Sequence, residues 1–221
     1  MSNSSSDTSE SPRLDRSETT FVGVSMVQAQ LVGGGLAVGL LAVPLSAHLF
    51  LWGAPSGSDA LGPDAFFGFS VAILVGILVH EGLHGIGFRW GGADWSAVEF
   101  GFSWRGLAPY AHCDAPLRCA PYRRAIALPG LVLGGGPLAV GLGAGHWGIT
   151  GFGAVMLAAA GGDFLILWLL RTVPRRAWVR DHPSQVGALV LGGPSADEAP
   201  ALAFDLDAEA SAHQKGADDG T

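Results

Sequence analysis

The sequence predicts an all-α membrane protein of four transmembrane helices with a small cytoplasmic β-hairpin loop. Three observations predict it. The 221-residue chain is 49% hydrophobic and only 14% charged, against about 25% charged in ordinary soluble domains. Its charges are confined to a few stretches, leaving four apolar runs without Lys or Arg. Each run is near the ~20 residues a helix needs to cross about 30 Å of hydrocarbon.

The predicted spans cover residues 31–52, 65–88, 125–147 and 149–170. A polar leader over 1–22 and an acidic tail over 192–221 hold too little apolar surface to fold and are expected to be disordered. That leaves 23–191 as the folded unit. The first span starts behind the leader and is too long for the apolar region of a cleaved signal peptide.

All twelve basic residues fall outside the two loops that join spans one to two and three to four. The positive-inside rule then predicts an integral plasma membrane protein with cytoplasmic N- and C-termini. The net charge of −7 comes mostly from the leader, the tail and the outer loop. No basic block or basic–aromatic pattern supports a nucleic-acid partner. Cys113 and Cys119 fall on the cytoplasmic side, where thiols stay reduced, so both are expected to be free.

Between spans two and three, Ala97 to Trp104 alternates in polarity and is rich in aromatics. A turn near Arg105-Gly106 leads into a second extended run, Leu107 to Cys113. This pattern predicts a β-hairpin. Such a hairpin either packs on the bundle as a loop or offers an edge strand that aligns an extended substrate. Span three is interrupted by Pro129, Gly134-Gly135-Gly136 and Pro137, which predicts a kinked or opened helix. After span four, Asp181-His182-Pro183 precedes Val186 to Leu191, a short predicted strand.

The chemistry is concentrated in His80-Glu81-Gly82-Leu83-His84, inside the second span. Histidines four apart project from one helix face, so both can reach one zinc ion. Glu81 lies beside that ion and is placed to act as general base toward zinc-activated water. Ionisable groups inside a membrane helix are costly and point to function.

A catalytic zinc site wants a third protein ligand. Measured from the cytoplasmic helix ends at 1.5 Å per residue, His84 lies about 7 Å deep, His80 about 13 Å and Asp163 about 12 Å. Asp163 is the only acid in span four and is therefore the expected third ligand. His112, on the inner side, could reach the site as a substrate or oxyanion contact. His48 and His146 sit towards the opposite end.

His80-Glu81-Gly82-Leu83-His84-Gly85, Pro109-Tyr110-Ala111-His112-Cys113, Gly162-Asp163 and Asp181-His182-Pro183-Ser184-Gln185-Val186-Gly187 together resemble a family of small four-span membrane zincins, the putative zincin peptidases, akin to site-2 proteases. The resemblance covers about Phe66 to Leu191. It implies a zinc peptidase with His80, His84 and Asp163 as ligands and Glu81 as base. The implied partners are a protein or peptide substrate at the membrane and the lipid bilayer. Unlike site-2 proteases, the chain has Phe164 after the third-ligand aspartate. Two other readings share the motif: a non-proteolytic metal-binding membrane protein, such as a sensor or permease, and an inactive membrane scaffold.

Overall fold

The computed structural model describes residues 19–55, 62–104, 108–182 and 185–191. Residues 1–18, the acidic tail and the tip of the predicted hairpin lie outside the described residues. Helix starts and stops follow local chemistry. Helix α1 (Met26–Trp52) begins at a capping box, in which Ser25 and Gln28 each accept the other's backbone N–H; two otherwise unpaired donors are thereby satisfied. It ends at Gly53, whose φ of 81° suits a residue without a Cβ. Helix α2 (Pro63–Trp90) opens with Pro63 in its first turn, where the missing N–H costs nothing.

Span three is one helical rod in three segments. Helix α3 (Cys119–Pro129) runs through a π-helical stretch, Gly130–Gly135, into α4 (Gly136–Ala144). The wide turn lies between Pro129 and Pro137, whose rings cannot serve the ordinary ladder. The rod starts at Cys119 rather than near residue 125, so Arg123 and Arg124 lie inside it. Arg123 is tolerated there because it donates to the carbonyls of Leu170 and Val173 at the end of span four. Span four is a bent pair, α5 (Trp147–Ala159) and α6 (Gly161–Leu169), with a 3₁₀ turn to Thr172 and a 45° angle at the break.

Three helical rods are long and apolar enough to cross a membrane, and the bent pair makes a fourth if counted as one span. Their outward surface is apolar. Helix α1 buries only Gly33, Pro44 and His48, and exposes Leu31, Val38, Val43 and Phe50. Such a face requires an apolar surrounding, which agrees with a bilayer.

The all-α expectation needs correction. Strands β1 (Thr19–Val24), β4 (Leu117–Arg118), β5 (Trp178–Asp181) and β6 (Val186–Leu191) form an antiparallel sheet in the order β1-β6-β5-β4. The strand expected at Val186–Leu191 is present. Residues 19–22, expected in the leader, instead belong to β1. Six residues carry too short a pattern to announce a strand whose partner lies near the far end of the chain. The sheet gathers the start of α1, the start of α3 and the end of span four at one end of the bundle. Phe88, Tyr122, Cys119, Leu170 and Val179 form a buried core between sheet and helices.

The predicted hairpin is also present, as β2 (Val98–Ser103) and β3 (Ala108–Cys113). It packs against the last turns of α2. The Phe100 ring lies over Gly85, 2.6 Å from where a Cβ would stand, so the glycine is what admits the hairpin.

Candidate metal centre

His80 and His84 lie on the inner face of α2 and are 6% and 5% exposed. Their rings stand 4.9 Å apart and nearly perpendicular. Asp163 reaches them from the first turn of α6, where the helix dipole favours an anion. The break in span four is what creates that helix start at the level of the histidines. Gly161 allows the break to sit tightly against α1: its Cβ position is 2.8 Å from the Gly33 carbonyl oxygen.

The contacts are specific. His80 Nε2 lies 3.0 Å from Asp163 Oδ2, and His84 Nε2 lies 3.3 Å from Asp163 Oδ1. On its other side, the His84 Nδ1–H donates to the Ala125 carbonyl oxygen at 3.2 Å. That bond fixes the ring so that Nε2 faces the carboxylate. Nε2 and a carboxylate oxygen this close attract when a proton or a metal ion lies between them.

The spacing suits a metal ion. Two ligands at ~2.0–2.2 Å from one tetrahedral ion lie about 3.3–3.6 Å apart; the 3.3 Å between His84 Nε2 and Asp163 Oδ1 meets that range, and the 3.0 Å between His80 Nε2 and Asp163 Oδ2 lies just below it. One ligand atom from each of the three residues falls within 4.8 Å of the others. Phe88 stacks behind His84, and Tyr122 behind Phe88. His80 Nδ1 finds no hydrogen-bond partner among the described residues, so this ring is held by packing and by Asp163.

Glu81, half-buried, stands beside this trio on the same turn. The Ala111 amide bears on its carboxyl. That amide points to the β3 edge turned away from β2, as does the Cys113 amide, which donates to Asp181 Oδ2 at 2.8 Å. Strand β3 therefore brings backbone polarity to the would-be base.

The structure thus brings His80, His84 and Asp163 together with Glu81 alongside. It does not bring His112 into the trio. His112 lies between two other carboxylates, with Nε2 3.1 Å from Asp114 and Nδ1 3.6 Å from Asp181. His48 is buried at the opposite end, its Nδ1 2.8 Å from the Thr150 hydroxyl. His146 caps α5 there by accepting the Ile149 N–H.

Sequence reasoning missed three supporting groups. Ala125 acts through a carbonyl, which no side-chain pattern announces. Gly87 is its only trace, since a Cβ there would be 2.6 Å from the Ala125 Cα. The others are Asp181 and Tyr122. Asp181 accepts from the Tyr122 hydroxyl and the Cys113 amide, tying β5 to α3 and β3. Burial pushes the Asp181 carboxyl above the ordinary range, against the pull of its donors and of His112.

The family model described as "Putative zincin peptidase" matches residues 73–178, a stretch that holds both histidines, Glu81 and Asp163. Over this stretch, just under half of its length, the chain is similar to that family. No curated protein and no solved structure matches the chain. For a zincin peptidase the expected metal is zinc, and the donor set of two imidazoles and a carboxylate is one that zinc accepts. The match ends at Trp178, so the Asp181 anchor and β6 lie beyond it.

Proposed function

We propose that this protein is a membrane-embedded zinc metallopeptidase that cleaves a membrane or juxtamembrane protein segment. The observation that carries the proposal is the convergence of two histidine Nε2 atoms on the two oxygens of Asp163, with Glu81 one residue from His80 on the same turn. Zinc held by His80, His84 and Asp163 would polarise the scissile carbonyl and acidify the attacking water.

The remaining steps belong to the chain. Glu81 takes a proton from the attacking water and later delivers it to the leaving amine. The Ala111 amide faces the Glu81 carboxyl from the β3 side. Ala125, through its carbonyl, holds the His84 ring so that Nε2 faces inward. The arginine-rich helix ends and the sheet are assigned to the cytoplasmic side, following the positive-inside rule. A substrate reaching Glu81 from there must be extended, because the site is recessed between α2, α3 and α6.

The test uses purified protein in detergent with zinc counted per chain, and single-span reporter proteins whose fragments are read by mass spectrometry. Glu81→Gln should keep the metal and lose cleavage. Cleavage at the wild-type rate by that variant would end the peptidase reading. A wild type that holds zinc but cuts no reporter would favour metal handling without proteolysis.

A further inference from the structure

The β2–β3 hairpin is amphipathic in a way that its packing inside the chain does not use up. By its register, Val98, Phe100, Phe102, Pro109, Ala111 and Cys113 share one face. The other face carries Glu99, Gly101, Ser103, Ala108, Tyr110 and His112. Only the base of the apolar face, Val98 and Cys113, is buried. Phe100 touches Gly85 yet remains 53% exposed, and Phe102 is 47% exposed. Trp104, in edge-to-face contact with Phe102, is 81% exposed.

Three further observations say what covers this face. It is continuous with the apolar outer surface of α2, because Phe100 lies against Gly85. Gly85 is four residues before Arg89, so the contact sits about 6 Å below the basic end of the helix. Exposed Trp90 and Trp168 mark the same level, and Arg171 lies over the Trp168 ring at 3.9 Å. Tryptophan with a folded-back arginine is what the boundary between headgroups and acyl chains selects.

We propose that the hairpin lays its apolar face into the lipid boundary layer beside α2, with Phe102 and Trp104 as its anchors, and turns Glu99 to water. The outer edge of β2 has no strand partner among the described residues, so the backbone groups that Val98, Phe100 and Phe102 turn to that edge require a depth that water still reaches. A shallow seat at the boundary meets that requirement and the hydrocarbon centre does not. The hairpin is then held from two sides, by α2 and by lipid, and this fixes the strand whose Ala111 amide faces Glu81. The proposal rests on the helices spanning a bilayer, and its test separates the two ideas.

Trp104→Cys, Glu99→Cys and Leu78→Cys are each labelled with an environment-sensitive NBD fluorophore and reconstituted in vesicles of phosphatidylcholine and phosphatidylglycerol. Cys113 and Cys119 are buried and stay in place, and labelled wild type supplies the background. Doxyl-lipids quench from within the bilayer, and iodide, present on both sides, quenches from water. The Trp104 label should lose roughly half its emission to doxyl groups near the headgroup end of the chains. It should lose less to doxyl groups at the bilayer centre and little to iodide, and the Glu99 label should show the reverse preference for iodide.

Leu78 is 69% exposed on the middle of α2, and its label should be quenched by the deep doxyl groups. If the Leu78 label is quenched and the Trp104 label answers only to iodide, the hairpin proposal is overturned while the spans stand. If neither quencher reaches the Trp104 label, a protein partner or second copy covers the face, and the proposal is again overturned. If the Leu78 label itself escapes the lipid quenchers, the membrane reading fails.

Discussion

Gly87 offers the sharpest test of how the candidate metal centre is held. An alanine Cβ there would lie 2.6 Å from the Ala125 Cα, 2.8 Å from its Cβ and 3.3 Å from its carbonyl oxygen. Carbon atoms pack at about 3.5–4.0 Å, so α2 and α3 must part by roughly 1 Å. The atoms in the way are mainly backbone and cannot turn aside. The movement breaks or stretches the bond from His84 Nδ1 to Ala125, already 3.2 Å long.

Overpacking of this kind costs about 1–3 kcal/mol, and the buried hydrogen bond adds about 1 kcal/mol. Replacing glycine within a helix returns about 1 kcal/mol, so the net loss is about 1–3 kcal/mol. Loss of a group that orients a metal ligand weakens metal binding by about 10–100-fold. The assay is a zinc competition titration against a chromophoric chelator, with thermal unfolding in the same detergent.

Gly82→Ala is the control, because a Cβ at Gly82 meets nothing within 4 Å; it should leave zinc affinity unchanged and stability equal or slightly higher. A Gly87→Ala variant binding zinc within about threefold of wild type would refute the argument that Ala125 orients His84. So would a Gly82→Ala variant weakened as much.

Other expectations follow from the same geometry. Glu81→Gln should retain one zinc per chain while lowering cleavage by about 10²–10⁴-fold, read from reporter fragments and metal content together. Asp163→Ala and His84→Ala should each strip the metal, whereas His112→Ala should leave zinc stoichiometry unchanged, as measured by atomic emission. Burial pushes the Cys113 thiol up to about 11, so it should resist alkylation at neutral pH and react only after unfolding, as followed by mass spectrometry.

Asp181 should show itself through pH. With its folded-state pKa raised above 3.8 by burial, the protonated carboxyl favours the fold. Its contribution is fully present below the unfolded value and is lost as pH rises through the folded one. Wild type should therefore gain stability relative to Asp181→Asn as pH falls through that window, and denaturant titrations at several pH values would measure it.

Much of the molecule was legible from residue order. The apolar runs announced the helical rods, because an apolar stretch near the span length has few other uses. The pair His80 and His84 needed only helical periodicity to share a face. Asp163 could be matched to them by depth alone, because the helix rise is constant and both spans run the same way. The hairpin showed through its alternation and aromatics. Strand β1 did not, since six residues say little without β6 beside them. The true start of span three was equally hidden, because Arg123 looked like the end of a loop until the carbonyls of Leu170 and Val173 were in view.

The sequence by itself pointed to His80, Glu81, His84 and Asp163, through spacing, hydropathy and the scarcity of charge inside the apolar runs, and the fold brings His80, His84 and Asp163 together. Only the tertiary structure decided how those residues are held. It set the Ala125 carbonyl behind His84, the helix start beneath Asp163, the Ala111 amide beside Glu81, and the Asp181 carboxyl between β3, α3 and β5. The reason is physical: periodicity along one helix is a local property of the chain, whereas a backbone carbonyl or amide acquires a role only when packing carries another segment to it.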